Sequence, residues 1–173
     1  MDHAEIEAIV EVHRKAFGET EGEETAQLAK NFLDHPDTIS ISVKGDGQVA
    51  GNVLFTPFVF EEHPDAICYL LAPCGVLPEF QGHGVGKELI ETSIEHLKSI
   101  GADAVFVLGV PTLYLRYGFL PTDKQTPYPD LLTAPEAWME LALTAGKAKK
   151  LSGKTKAIPQ FMRAHWWDTS GRG

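Results

Sequence analysis

The sequence predicts an α/β fold: helices flank a mixed, mostly antiparallel sheet that splays between two central parallel strands. Two β-rich segments, "TISISV" and "QVAGNVLFTPFVF", bracket the Asp46-Gly47 pair, which supplies the positive φ a tight hairpin needs. Two continuous apolar segments, "AICYLLAPCGV" and "ADAVFVLGV", are separated by a helical rhythm, and a strand-helix-strand crossover of this length runs its strands parallel. Within the first of them Pro73 lacks a ladder donor and Gly75 lacks a side chain to pack. The ladder is therefore expected to break there, as a bulge or splay whose freed backbone groups can bond something that is not protein.

Ile6, Ile9, Val10, His13 and Phe17 recur at the spacing of one helical face and predict a first helix. "GETEGEETAQLAKNFLDHP" reads as an acidic loop passing into a short second helix, with Glu23 and Glu24 in its first turn at the positive end of the dipole. Beyond the hairpin and the buried strand, Val85, Leu89, Ile90, Ile94, Leu97 and Ile100 form an apolar stripe that Gly101 closes. "PTLYLRYGF" predicts a short helix ended by Gly118, "AWMELAL" and "AIPQFMRA" predict closing strands, and about residues 167–173 read as a frayed tail. With no linker or repeat in its 173 residues, the chain is expected to form one domain, 1–173.

Composition excludes several classes. The longest apolar runs are too short to span a bilayer, and the acidic, interrupted start is unlike a secretory leader, so the expected location is cytoplasmic and no membrane partner is expected. Cys68 and Cys74 are too far apart along one straight strand to pair, which predicts reduced thiols, and no spacing of His, Cys or carboxylates predicts a metal. A net charge of −9 opposes nucleic-acid binding and favours small or cationic substrates. The five lysines of "GKAKKLSGKTK" read as a solvated loop between two late strands.

In "EFQGHGVGKELI" three glycines, Gly82, Gly84 and Gly86, stand between the buried strand and the helix. Such a turn lets successive backbone N–H groups converge on an anion at a helix N-terminus, phosphate above all. Spacing rules out two guests. The nucleotide P-loop would need glycine where Gln81 stands and a hydroxyl where Glu88 stands, and the dinucleotide fingerprint would need glycine at Lys87 or Leu89. What remains, Gln81-x-x-Gly84-x-Gly86 after a bulge-prone strand, resembles the acyl-CoA motif of the Gcn5-related N-acetyltransferase (GNAT) superfamily. "VLGVPTLYLRYGFLP" is similar to the same segment of a subgroup of uncharacterised bacterial members, V-L-G-x-P-x-Y-Y-x-R-F-G-F. The resemblance runs from the first helix to Pro121. Leu113 departs from it by replacing the first tyrosine of the pair, and the chain starts inside the first helix, without the family's opening strand.

The resemblance implies an N-acetyltransferase, with acetyl-CoA as co-substrate and a primary amine as acceptor. It places the pyrophosphate on the backbone of Gln81, Gly82, His83, Gly84, Val85, Gly86 and Lys87, and the pantetheine arm beside Cys74, Gly75 and Val76. It also implies direct attack of the amine on the thioester, with the tyrosine after the fifth strand returning a proton to the leaving thiolate. Tyr114 holds that position, and a phenol near pKa about 10 suits a thiolate whose acid has pKa roughly 8.5. His13, Glu62, His63 and Glu79 are general bases by residue type, and none is singled out. Cys74 reads as a small buried thiol rather than a nucleophile, His83 as a backbone contact and Arg116 as a surface partner of its own helix. Acceptor contacts are expected from the loops at 18–25 and 121–135. Homodimerisation is open, and the alternative function is a non-catalytic acyl-CoA-binding sensor or interaction module.

Overall fold

Asp46 and Gly47, at φ of 51° and 76°, close the expected hairpin between β1 (Ile39–Gly45) and β2 (Gln48–Phe60). The computed structural model describes residues 1–170. Five further strands, β3 (Cys68–Val76), β4 (Ala104–Leu108), β5 (Leu120–Pro121), β6 (Trp138–Ala142) and β7 (Thr155–Ala157), complete a sheet of order β1-β2-β3-β4-β6-β5, with β7 paired to β2. Every strand pair described is antiparallel except β3 with β4, as the crossover requires. That parallel ladder joins Cys68–Leu70 to Ala104–Phe106. The backbone divides into two compact units, residues 1–56 with 72–96 and residues 57–71 with 97 onward.

In the first unit, α1 (His3–Ala16) is capped by Asp2, whose carboxylate accepts the Glu5 N–H at 2.8 Å. It buries Ile9, Val10, Val12 and His13. The second helix, α2 (Gly18–Leu33), begins at once, so the expected acidic loop is absent and Glu19 and Glu21, not Glu23 and Glu24, occupy its first turn. Gly18 makes this abrupt entry possible, because its φ of 72° is open to glycine at no steric cost. Ala26, Ala29 and Phe32 are fully buried along α2, and Arg14 of α1 bonds both Glu11 and Glu23.

The strand β3 stays extended to Val76, across a cis Ala72–Pro73 bond, but its ladder to β4 ends at Leu70 with Phe106 although both strands run on, which is the splay expected ahead of Pro73. On its other side, just beyond the strand, Leu77 N–H donates to Ala50 of β2 at 2.8 Å. After the glycine loop, α3 (Val85–Ser99) buries Val85, Leu89, Ile90 and Leu97. It ends as predicted: Gly101 lies at φ 80°, and the Gly101 and Ala102 amides bond back to Lys98 and Leu97. Ile100 is 41% exposed, off the expected stripe, because the helix has already ended at Ser99.

In the second unit the sheet carries an aromatic core. Phe58 lies 5.2 Å from Phe106, which stacks on Trp138 at 5.5 Å, and Trp138 meets Trp167 edge-on at 5.8 Å. Both indole N–H groups are satisfied, by the Lys124 and Phe161 carbonyls. Trp167 and Thr169 are buried, and the Thr169 hydroxyl bonds Leu131, Thr133 and Ala134. The tail is thus docked rather than frayed through these residues, while 171–173 lie outside the described residues. "AIPQFMRA" is not a strand: β7 stops at Ala157, and Pro159 starts a 3-10 turn because it has no N–H to extend a ladder. The lysine-rich segment is not simply a loop, since α5 (Ala145–Ala148) sits at its start with Ala148 and Leu151 buried. Among the described residues, no helix is long and apolar enough to cross a membrane.

The backbones of α1 and α2 approach closely at Gly22. A β-carbon added at Gly22 would lie 2.3 Å from the Arg14 carbonyl oxygen, and backbone cannot rotate aside as a side chain can. Gly22→Ala is expected to destabilise the fold by roughly 1–3 kcal/mol, the usual range for overpacking, although alanine is the better helix former. A thermal melt that is unchanged or raised in this variant would contradict that packing.

Candidate functional site

The site grows from the end of β3. A 3-10 turn, Pro78–Phe80, leads to Gln81 in extended geometry, whose side-chain amide donates to the Val76 carbonyl at 3.2 Å. Gly82 and Gly84 then take φ of 79° and 82°, left-handed values that any other residue type would strain to adopt. A β-carbon added at Gly82, Gly84 or Gly86 would meet nothing within 4 Å, so the bare face of all three glycines opens onto free space. The first bond of the helix runs from Glu88 N–H to the Gly84 carbonyl, at 3.0 Å. Among the described residues, the amides from Gly82 to Lys87 have no backbone acceptor. A run of unpaired N–H groups at the positive end of a fifteen-residue helix is an anion cradle.

The helix can start here because β2 makes room for it. A β-carbon at Gly51 would lie 2.7 Å from Val85 and 2.9 Å from Leu89, so only glycine lets the first turn of α3 lie this close to the sheet. Sequence reasoning passed over Gly51, which reads there as one more residue of a strand. On β3 the two-residue alternation separates the expected contacts. Leu77 N–H bonds Ala50, and the Gly75 carbonyl lies 3.3 Å from the added β-carbon of Gly51, so the groups of Gly75 face β2. Those of Cys74 and Val76 face the other way. The structure thus gathers Cys74, Gly75, Val76 and Gln81 through Lys87 in one unit, with Gly75 turned inward.

Beside Gly75, the Cys74 thiol and the His13 imidazole are both uncharged at neutral pH. Burial pushes the Cys74 thiol up to about 12, which leaves it no thiolate to act as a nucleophile. His13 has no exposed surface, and burial lowers its pKa to about 4, against the opposing effect of its hydrogen bond to Asn52. Its Nε2 lies 2.9 Å from Asn52 Oδ1, and its Nδ1 is buried without a partner. A shielded, weakly basic imidazole is unsuited to taking a proton from an incoming amine, which removes His13 from the candidate bases. Glu79 is exposed on the 3-10 turn before the loop, and the Glu62 carboxylate lies over Gly153, 2.5 Å from where a β-carbon would stand.

Tyr114 belongs to the second unit, at the end of α4 (Pro111–Tyr114). Its ring is 7% exposed and packs edge-on against Phe119 at 5.6 Å. The ring also covers Gly109, where a β-carbon would lie 2.7 Å from it, so the residue after β4 must be small for Tyr114 to take this place. Leu113 beside it is 40% exposed. Arg116 is a surface residue, as expected, donating to the Thr112 carbonyl of its own turn. Of the two expected acceptor loops, 18–25 is instead the first half of α2, whereas 122–128 is irregular chain that passes into a 3-10 turn at Pro129–Leu131. Among the described residues, no group of three His, Cys, Asp or Glu is placed to hold a metal ion.

The sequence matches the family model described as acetyltransferase (GNAT) family over residues 6–119, well over half of the chain. It is 39% identical over 150 residues to the uncharacterized N-acetyltransferase YjhQ of Escherichia coli K12, covering 83% of this chain and 82% of that one. The fold is similar to that of the GNAT family N-acetyltransferase YhbS from Escherichia coli, solved with CoA, at a TM-score of 0.78 and 22% identity over 94% of this chain and 89% of that one. It is also similar to a GNAT family acetyltransferase from Brucella melitensis solved with acetyl-CoA, at a TM-score of 0.65 and 25% identity, covering 82% and 84% of the two chains.

Burying His13 in the neutral form links folding to pH. The folded pKa, about 4, is below the ordinary value of 6.5, so the unfolded chain binds the proton first as pH falls. The contribution is intact above pH 6.5 and is lost on the way down to about 4, at about 1.4 kcal/mol per unit. Urea unfolding at pH 7.5 and 4.5 should show a steeper loss of stability in the wild type than in His13→Gln. Equal losses in the two proteins would contradict the burial of a neutral imidazole.

Proposed function

The chain belongs to the acetyltransferase (GNAT) family, and from that premise we propose that it transfers the acetyl group of acetyl-CoA to a primary amine, in the cytoplasm. The observation that carries this reading is the row of unpaired amides from Gly82 to Lys87, facing open space at the N-terminus of α3. A diphosphate fits such a cradle, because its oxygens accept several N–H bonds at once and its charge is favoured by the helix dipole. The bare glycines let the phosphates approach to hydrogen-bond distance. Gln81, bonded to the Val76 carbonyl, ties the cradle to the strand that would accompany the pantetheine arm. Along that strand Cys74 and Val76 offer main-chain groups to the arm, and Gly75 serves as the inward-facing residue between them.

Acetyl-CoA supplies the thioester, and the chain supplies its placement and a proton. Neutral amine attacks the carbonyl carbon, the carbon–sulfur bond breaks, and the amine proton is lost to solvent or a base. In our reading Tyr114 donates its phenolic proton to the departing thiolate and regains one afterwards. Its packing against Phe119 and over Gly109 supports a fixed ring, which a proton donor needs as much as a core residue does. The half-buried, protonated thiol of Cys74 favours direct attack over passage through an acyl-cysteine.

Two measurements test the halves of this proposal separately. Calorimetry should find CoA binding in the wild type, and Gly84→Val should weaken it at least tenfold. Valine strains at φ 82° and places methyls where the phosphates would lie. Unaltered binding would remove the cradle from the site. Thiol release over a panel of peptides, polyamines, aminoglycosides and amino acids should identify an acceptor. With that acceptor, Tyr114→Phe should lower kcat by about a hundredfold while the KM for acetyl-CoA changes little. Full turnover in this variant would leave Tyr114 a packing residue only.

A further inference from the structure

The imidazole of His13 is locked by groups on two other elements. The Asn52 amide nitrogen shares its two hydrogens among three acceptors, Ser40 Oγ at 2.9 Å, Ser42 Oγ at 2.9 Å and the Ile41 carbonyl at 3.2 Å. A carbonyl can only accept, so this fixes which end of the Asn52 amide is nitrogen and turns Oδ1 toward His13. His13 Nε2 must then carry the hydrogen, which leaves Nδ1 a bare lone pair. That lone pair is buried without a donor. An orphaned acceptor costs stability, and an aliphatic side chain of similar volume would avoid the cost. The imidazole is better explained by what it holds in place.

What it faces is Gly75. A β-carbon on Gly75 would lie 2.9 Å from His13 Nδ1 and 3.1 Å from the Ala16 β-carbon, so one face of α1 fills the place of a Gly75 side chain. Towards β2, the Gly75 carbonyl packs against the bare Gly51, whose own β-carbon would collide with α3. The strand is therefore located by contact at this point from α1 and from β2. Its next residue, Val76, accepts from Gln81, which immediately precedes the cradle. A shift of Gly75 would move Cys74 and Val76 with it and pull on Gln81.

We propose that His13, held in one tautomer by Asn52, is a positioning residue for acyl-CoA, setting through its contact with Gly75 the place of the strand that carries the pantetheine arm. The proposal rests on the reading of Cys74 and Val76 as contacts to that arm. His13 acts through the backbone and touches no reacting atom.

The test is CoA affinity and steady-state kinetics in a small series. His13→Ala should raise the Kd for CoA and the KM for acetyl-CoA by roughly ten- to a hundredfold, the range for a displaced binding element, with kcat at saturation within about threefold. His13→Gln, which can still donate to Asn52 Oδ1, should recover most of the affinity. Gly75→Ala should weaken CoA binding in the wild type and weaken it less in the His13→Ala background, because the clash with the imidazole is gone. A folded His13→Ala protein that binds CoA like the wild type overturns the proposal. If His13→Ala does not fold, Gly75→Ala decides alone, and wild-type affinity in that variant overturns it as well. Absence of CoA binding in the wild type itself would instead remove the acyl-CoA reading, and this proposal with it.

Discussion

The candidate site depends on amides that the protein leaves without acceptors. Every helix begins with such groups, and most proteins cap them with a side chain or with water, as Asp2 does for α1. At α3 the sequence offers no cap: the residues before Val85 are glycines and His83, and the first helical bond reaches back only to Gly84. The chain thereby forgoes capping energy at one end of a long helix. A diphosphate would restore it by accepting those hydrogen bonds, so that ligand binding and helix capping become the same event.

Glycine has two opposite uses within forty residues of this chain. At Gly82, Gly84 and Gly86 the missing β-carbon leaves open space, and two of the three also supply a left-handed backbone. At Gly51 and Gly75 the missing β-carbon is already replaced by neighbours, Val85 and Leu89 in one case and His13 and Ala16 in the other. The first group makes room for a guest. The second brings two helices close enough to the strands that the guest's cradle has a fixed position. Both are needed, since an accommodating loop on a loosely seated helix would present its amides in many orientations and bind weakly.

This division explains what the sequence could and could not reveal. The hairpin, the crossover and the α3 stop were legible because each rests on local chemistry: an Asp-Gly turn, apolar periodicity and a glycine after the last turn. The glycine loop was legible for the same reason. Pro73 and Gly75 marked the end of the ladder to β4, which stops at Leu70, but what fills the place of a Gly75 side chain was not legible, because His13 lies on another element far away in the chain. The acidic stretch at 18–25 looked like a loop by composition, but Gly18 allowed a helix to begin there and packing on α1 retained it. "AIPQFMRA" has the apolar pattern of a strand, and Pro159 ends that strand after Ala157. The docking of Trp167 depends on an aromatic cluster assembled from four separate segments, which no window of sequence contains.

The electrostatics follow from the same economy. The chain carries a net charge of −9, yet the proposed guest is itself an anion, so overall charge works against binding. Beside Gly75 the thiol of Cys74, with a pKa of about 12, and the imidazole of His13, with one of about 4, are neutral, and neither adds an attractive charge. Lys87 at the start of α3 is exposed and shared with Glu91 at 3.7 Å, an arrangement worth little in water. What remains to oppose the repulsion is oriented backbone: the unpaired amides and the dipole of α3. Those act only at hydrogen-bond distance, whereas the repulsion between net charges is long-ranged and screened by salt. Affinity in such a site is therefore set by how accurately the main chain is placed, which is why residues that touch no ligand, Gly51 and His13 among them, matter as much as those that would.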